Sequence, residues 1–118
     1  YEDQKPESLR RAADFRALRL PKFLGYFERV LAANPGGNRP LVGKSLTYVD
    51  LSMFQVISGL SYAFPRTMDT MLRMHPQLAA LHRGVEKRPR IAAYLASSRR
   101  IPFNERGIFR HYPELDGA

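Results

Sequence analysis

The segment from Gly43 to Pro65 constrains the fold most, because it joins a helix start to a long uncharged run. Thr47 suits the N-cap position, and Asp50 stands three residues later, where its carboxylate can reach back to the Thr47 amide. This spacing favours a structural capping role over a catalytic pair. The run from Leu51 to Pro65 carries no charge, and a helix without a charged face is typically buried on most sides. We therefore expect a capped central helix over about Tyr48–Ala63.

Apolar residues elsewhere recur at the three- and four-residue steps typical of helices. One such stretch spans residues 6–33 and contains Pro21, which we expect to kink it. Pro76 and Pro89 stand where further helices can begin. Residues 34–40 have the composition of a turn, and no segment shows strand alternation. The sequence predicts an all-α bundle of about five helices in a single domain over 1–118, with an irregular tail over 101–118.

Composition and charge exclude several kinds of site. The chain has 118 residues and no cysteine, which rules out disulfides, cysteine-ligated zinc and a thiol nucleophile within it. The uncharged run is shorter than the ~18–20 residues of a membrane span, so we expect no membrane association. The net charge of +8 is concentrated between Arg83 and Arg110. Because no nucleic-acid-binding motif accompanies it, we interpret this basic region as a solvated surface and expect no nucleic-acid partner.

Four segments, in order, resemble the C-terminal helical domain of the glutathione S-transferase superfamily, in its sigma-like or bacterial form. The first comprises residues 21–28 and 41–43, which look like the helix and loop before the cap. The second is the Gly-x-x-Leu-Thr-x-x-Asp cap itself over 43–50. The third, over 75–97, is similar to the family's penultimate helix pair, and the fourth, over 101–115, is similar to the family's tail. The cap alone is common in helices, whereas the ordered set is specific.

This resemblance implies a fold and an activity. The expected fold is the all-α bundle of the glutathione S-transferase C-terminal domain. The expected parent protein adds the glutathione thiolate to a hydrophobic electrophile, with glutathione as co-substrate. The family's N-terminal thioredoxin-like domain, which binds glutathione and supplies the activating residue, has no counterpart here, and the first long helix of the helical domain is also missing. The resemblance therefore implies a piece of a larger protein, incomplete at its N-terminus.

Partners and location follow from the same resemblance. Expected partners are the chain's own thioredoxin-like domain, a second copy in a homodimer, glutathione and the electrophile, in the cytoplasm. The chain alone is expected to bind no cofactor and to hold no catalytic residue. The same helical domain also occurs in translation-factor and tRNA synthetase assemblies, where it makes protein–protein contacts. A non-catalytic interaction module therefore stays open as the alternative function.

The tail carries the candidate substrate-binding residues. Phe103, Phe109 and Tyr112 are large aromatic groups in an irregular segment, and an aromatic loop needs a surface to dock on. In the resembled family the C-terminal end lies near the electrophile pocket, so the resemblance implies that these three residues help to form it. Packing onto the chain's own helices is an equally good interpretation.

Other chemically capable residues favour structural roles. His75 and His82 have no carboxylate at ligand spacing, so we expect no metal site. We expect His75 to cap backbone groups and His82 to lie on the surface. Four methionines could line a pliable pocket, but we expect them to fill the core; they are Met53, Met68, Met71 and Met74.

Overall fold

The computed structural model describes residues 1–35 and 40–117, and within them every regular element is helical. A continuous first helix consists of α1 (Lys5–Asp14), a π-helical turn (Phe15–Arg19) and α2 (Leu20–Ala33), so the described chain forms five separate helices. The predicted all-α fold is confirmed, and so is the predicted extent of the central helix. The predicted turn over 34–40 includes residues 36–39, which lie outside the described residues. In chain order the elements are a 3-10 turn (Glu2–Gln4), α1 (Lys5–Asp14), the π turn (Phe15–Arg19), α2 (Leu20–Ala33), α3 (Tyr48–Ala63), α4 (Pro65–Met74), α5 (Pro76–Glu86), α6 (Pro89–Ala96) and a 3-10 turn (Pro113–Asp116).

Proline sets the start of three of these helices. Pro65, Pro76 and Pro89 each occupy the first position of a helix. Its fixed φ is already helical, and its missing N–H would have no partner inside the helix at that position. The predicted starts of α5 at Pro76 and of α6 at Pro89 match the structure, whereas the start of α4 at Pro65 was not predicted.

Pro21 lies inside the first helix without ending it. Immediately before it, the backbone amide of Leu20 bonds to the carbonyl of Phe15, five residues back, as part of the π turn. The proline ring crowds the preceding turn of an α-helix, and the wider π turn lies at the place of that crowding. The predicted interruption is therefore accommodated as a π turn in an unbroken helix.

The core lies where α3 packs against α5 and α4 while α2 packs against α5. Met53 and Met68 fill this core as expected, whereas Met74 is exposed at the end of α4 and that expectation was wrong for it. Met71 packs against the core from its edge. The buried core cluster consists of Leu20, Leu24, Leu31, Leu41, Met53, Ile57, Met68 and Leu78.

One strip of α3 faces solvent, while the other residues of this helix are buried or half-buried, as expected for a helix without charged residues. Tyr48 is 82% exposed and Val56 is 41% exposed, while Ile57 is fully buried. Neighbouring elements cover the rest of α3, including Met53, Phe54 and Ile57. A lack of charge therefore did not reveal which side has neighbours.

A side chain from another helix caps the N-terminus of α5. The carboxylate of Glu28, on α2, accepts hydrogen bonds from the backbone amides of Gln77 at 2.8 Å and Leu78 at 2.9 Å. The first amides of a helix have no partner within it, and a carboxylate there also complements the helix dipole. This contact fixes α5 against α2, and α5 in turn supports α3.

Candidate functional site

The start of α3 is held by one buried carboxylate. Asp50 is 1% exposed; its Oδ2 accepts a hydrogen bond from the Thr47 amide at 2.8 Å, and its Oδ1 accepts one from the Leu41 amide at 2.8 Å. Both oxygens are therefore engaged by backbone groups. The second bond also ties the segment before the helix to its first turn. Asp50 thus has no free oxygen directed at a ligand.

The Thr47 hydroxyl contributes less than the residue pattern indicates. Thr47 and Asp50 have the arrangement of a capping box, yet Thr47 Oγ1 is buried without a hydrogen-bond partner in the described part of the chain. The Asp50 amide bonds instead to the Thr47 carbonyl oxygen at 3.1 Å. The cap is therefore formed by the Asp50 carboxylate and not by the Thr47 hydroxyl.

Two of the three predicted tail residues lie together on α3. The Phe103 ring stacks on Tyr62 with a centroid distance of 5.1 Å, and Phe109 meets Phe103 edge-on at 6.1 Å. Phe109 lies directly over Gly59, so closely that a Cβ built there would be 2.4 Å from its ring. These residues form the aromatic tail cluster, which we define as Tyr62, Phe103 and Phe109.

Tyr112 packs at a different place. Its ring stacks on Tyr1 with a centroid distance of 3.9 Å, and the Tyr1 hydroxyl donates a hydrogen bond to Glu114. This hydrogen bond is the main reason that the pKa of Glu114 is lowered. The structure therefore brings Phe103 and Phe109 together and leaves Tyr112 at the junction of the two ends of the chain.

The last residues anchor the tail to α4. Asp116 is 4% exposed and accepts hydrogen bonds from the amides of Arg66 at 2.7 Å and Thr67 at 3.1 Å. Burial alone would raise the pKa of Asp116, but the Thr67 and Arg66 donors outweigh it and the pKa is lowered. Upstream, His111 Nδ1 contacts the Ala63 carbonyl oxygen at 3.1 Å.

Sequence reasoning missed this anchor at Asp116. The available signal was Pro65, because proline is common at the first position of a helix. The backbone amides that follow it have no partner within the helix and need an acceptor from elsewhere. Nothing in the residues next to Pro65 supplies one. The sequence therefore indicated that an acceptor was needed without indicating which residue would provide it.

The two histidines considered as ligands are both committed to structural contacts. His75 Nδ1 contacts the Met71 carbonyl oxygen at 2.6 Å, at the end of α4. The prediction that His82 lies on the surface holds only in part: the side chain is half-buried, its ring stacks on Phe54 at 4.7 Å, and its Nε2 lies 2.8 Å from Ser58 Oγ. Burial lowers the pKa of His82. Among the described residues, no group of His, Cys, Asp and Glu side chains is placed to hold a metal ion.

Three of the surface depressions formed by the described residues lie near these features. One of about 840 Å³ lies beside the tail and includes Phe15, Phe64 and Leu115. A second depression, of about 550 Å³, has α5 on one side and, on the other, the segment that precedes α3. A third, of about 380 Å³, lies at the start of α6. Phe103, Phe109 and Tyr112 line none of the three. Within the part of the chain described, no helix is both long and apolar enough to cross a membrane.

Comparison with known proteins finds one family over most of the chain. Residues 1–98 match the family model described as glutathione S-transferase, C-terminal domain. The chain is 34% identical over 86 residues to glutathione S-transferase P 2 of Bufo bufo, covering 71% of this chain and 39% of that protein. It is 30% identical over 90 residues to glutathione S-transferase P 1 of the same species, covering 75% and 41%. It is 31% identical over 82 residues to a glutathione S-transferase of Plasmodium falciparum (isolate 3D7), covering 66% and 37%. The matched region thus spans about two fifths of each relative.

Proposed function

Because the chain belongs to the glutathione S-transferase C-terminal domain family, we propose that it is the helical part of a glutathione transferase that conjugates glutathione to hydrophobic electrophiles. The match over residues 1–98 is the observation that carries this proposal. A thioredoxin-like domain elsewhere in the protein binds glutathione and lowers the pKa of its thiol with a hydrogen-bond donor. The thiolate sulfur then forms a bond to the electrophilic carbon; either a leaving group departs with the electron pair of the bond that breaks, or the π electrons of an acceptor double bond move to the neighbouring atom, which takes a proton from water. The proposed role is detoxification in the cytoplasm.

The residues of this chain supply an apolar wall for the electrophile rather than the chemistry. The exposed side of α3 around Val56 adjoins Gly59, since residues three apart share a helix face, and Phe109 covers Gly59. Phe103 extends this surface toward Tyr62. These contacts support the proposal that Phe103 and Phe109 touch the electrophile. Tyr112 has an indirect role: its ring stacks on Tyr1 and so holds the tail in place, without contacting the electrophile.

The proposed homodimer has support on the first helix. Leu18 is 65% exposed and Tyr26 is 53% exposed, and both lie on the continuous first helix. Exposed apolar side chains of this size are common at protein–protein contacts. Sedimentation of the full-length protein tests the assignment: a dimer is expected, and a Leu18→Glu, Tyr26→Glu variant is expected to be monomeric with an unchanged helical spectrum.

The kinetic test of the proposed function uses the full-length protein. Phe103→Ala, Phe109→Ala and Tyr112→Ala are compared with Tyr94→Ala, an exposed aromatic on α6. We expect Phe103→Ala and Phe109→Ala to raise KM for a hydrophobic electrophile by an amount equivalent to ~1–3 kcal/mol, with KM for glutathione nearly unchanged. Tyr112→Ala should raise the electrophile KM less and lower Tm more.

Several outcomes would contradict the proposal. Equal increases in KM for the electrophile and for glutathione would show that the aromatic tail cluster does not specifically bind the electrophile. A fall in Tm without any change in KM would assign the cluster to packing alone. Absence of conjugation with a panel of electrophiles, in a folded protein that binds glutathione, would favour a non-catalytic interaction module instead.

A further inference from the structure

Residues 103–109 form a loop whose two ends are held at the same place on α3. Phe103 stacks on Tyr62, and Phe109 covers Gly59. The Phe103 and Phe109 rings also meet edge-on, with 6.1 Å between their centroids. Because these two anchors touch, the residues just before Phe103 and those beside Phe109 lie in one region of the surface.

Hydrogen bonds within the loop stabilise one shape. The Asn104 side-chain oxygen accepts a hydrogen bond from the Arg106 amide at 2.8 Å, and the Asn104 side-chain amide donates one to the Pro102 carbonyl oxygen at 3.1 Å. The Arg110 Nε donates a hydrogen bond to the Gly107 carbonyl oxygen at 2.9 Å. A surface that is ordered before binding loses less conformational entropy when a partner binds.

Four arginines give this region a positive charge. Glu105 is the one acidic residue between positions 97 and 110 of the sequence, and none of the four arginines forms an ion pair within the described part of the chain. Arg99 lies over the Tyr94 ring at 6.0 Å, and Arg100 lies over the Phe103 ring at 5.4 Å. These ring contacts restrict the positions of two guanidinium groups. The four residues are Arg99, Arg100, Arg106 and Arg110.

Two isoleucines in the same region face solvent. Ile101 is 81% exposed and Ile108 is 95% exposed. Ile101 stands two residues before Phe103 and Ile108 directly before Phe109, so the contact between the two aromatic anchors brings both isoleucines among the arginines. Apolar side chains next to unpaired cations are a combination that a partner can cover. We define the tail docking surface as Arg99, Arg100, Ile101, Arg106, Ile108 and Arg110.

We propose that the tail docking surface binds an acidic segment of another protein, in which apolar side chains stand among Glu or Asp residues. The planar guanidinium group matches the geometry of a carboxylate, and clusters of arginine commonly recognise acidic motifs. The two isoleucines contact the apolar side chains of the partner. A second copy of this chain does not fit here, because its net charge of +8 would meet a surface of the same sign. The inference does not rest on the transferase activity.

Nucleic acid and membranes match this surface less well. Single-stranded nucleic acid stacks its bases on aromatic side chains, whereas Phe103 and Phe109 are packed on α3. The usual element that lies on a membrane surface is an amphipathic helix, whereas residues 101–110 are not helical. An acidic protein segment therefore accounts best for the arginines and the isoleucines together.

The test measures the binding of fluorescent peptides to the full-length protein by fluorescence polarisation. The probe repeats Glu-Glu-Leu four times. One comparison peptide repeats Glu-Glu-Ser, which lacks the apolar side chains, and the other repeats Lys-Lys-Leu, which reverses the charge. We expect the Glu-Glu-Leu peptide to bind at least tenfold more tightly than either. Raising the salt concentration should weaken this binding, because salt screens exposed charges.

Charge variants locate the binding. Arg99→Gln, Arg106→Gln should weaken the Glu-Glu-Leu peptide tenfold or more. The matched control Arg83→Gln, Lys87→Gln removes the same charge from the basic region outside the tail and should stay within threefold of the original protein. All four side chains are exposed, so neither variant should lower Tm appreciably. Equal effects of the two variants would reduce the binding to net charge and overturn the proposal.

The apolar half of the surface is tested separately. Ile101→Ser, Ile108→Ser should weaken the Glu-Glu-Leu peptide to the affinity of the Glu-Glu-Ser peptide, whose own affinity should stay unchanged. Full binding of Glu-Glu-Leu by this variant, or no binding by the original protein at millimolar concentration, would overturn the proposal. So would tighter binding of phosphatidylserine vesicles or single-stranded DNA than of the peptide, if Arg99→Gln, Arg106→Gln abolishes it, because the surface would then serve a membrane or a nucleic acid.

Discussion

The Asp116 carboxylate accepts a hydrogen bond from the Thr67 backbone amide at 3.1 Å, although 49 residues separate the two in the sequence. The Thr67 hydroxyl returns the contact by donating to the Asp116 carbonyl oxygen at 3.4 Å. Gly117 adds a carbonyl oxygen that accepts a hydrogen bond from Arg66 at 3.1 Å. The end of the chain therefore serves as the N-terminal cap of α4, and it fixes the position of the tail.

Replacing Asp116 should destabilise the bundle. Asp116→Ala leaves the amides of Arg66 and Thr67 without their acceptor, and a lost cap of this kind costs ~0.5–2 kcal/mol. Urea denaturation followed by circular dichroism measures the change. Asp69→Ala, which removes an exposed acid paired with Arg73 on the same helix, is the control and should cost less, since exposed ion pairs contribute about 0–1 kcal/mol. Equal losses for the two variants would refute the capping role.

The lowered pKa of Asp116 also predicts how stability depends on pH. A carboxyl group whose pKa is lower when folded than when unfolded favours the folded state once the unfolded-state group is ionised. Its contribution is therefore fully present above the unfolded-state pKa, about 3.9, and is lost as the pH falls through the folded-state pKa. Comparing Tm of the original chain and Asp116→Asn should show a difference at pH 6 that shrinks below pH 4. A constant difference across that range would contradict this linkage.

The two residues of the α3 cap should respond differently to substitution. Asp50→Asn weakens two backbone hydrogen bonds to a buried carboxylate, and bonds to charged groups contribute ~1.5–3 kcal/mol each. Thr47→Val removes a buried hydroxyl that has no partner, so its cost should stay under about 0.5 kcal/mol or be reversed. Urea midpoints measure both, and neither variant should change the affinity of the folded full-length protein for glutathione. A larger loss for Thr47→Val would show that the hydroxyl forms the cap.

Gly59 should be intolerant of any side chain as long as Phe109 is present. A Cβ at residue 59 would lie 2.4 Å from the Phe109 ring, so Gly59→Ala should displace the ring and expose the tail to limited proteolysis. In a double-mutant cycle, Gly59→Ala should cost at least ~1 kcal/mol with Phe109 and much less in a Phe109→Ala background. Gly84→Ala, where nothing lies near the added carbon, is the control and should not destabilise. Additive effects at residues 59 and 109 would exclude the contact.

The sequence determined the features that depend on neighbouring residues. The helical periodicity predicted the all-α fold, and the Thr47–Asp50 spacing predicted where α3 begins. Prolines at the first helical position marked the starts of α5 and α6, and the order of these segments carried the resemblance to the family. These signals are local, because propensity, capping and amphipathic spacing act over a few residues. They are therefore legible without knowledge of any long-range contact.

Only the tertiary structure decided which distant groups meet. Glu28 reaches the start of α5 and Asp116 reaches the start of α4 across about 50 residues, and nothing local marks either carboxylate as a cap. The exposed side of α3 and the separation of Tyr112 from Phe103 and Phe109 likewise depend on how the helices and the tail are packed. A buried backbone amide requires a hydrogen-bond acceptor. Which residue provides that acceptor depends on which distant segments the fold brings next to the amide.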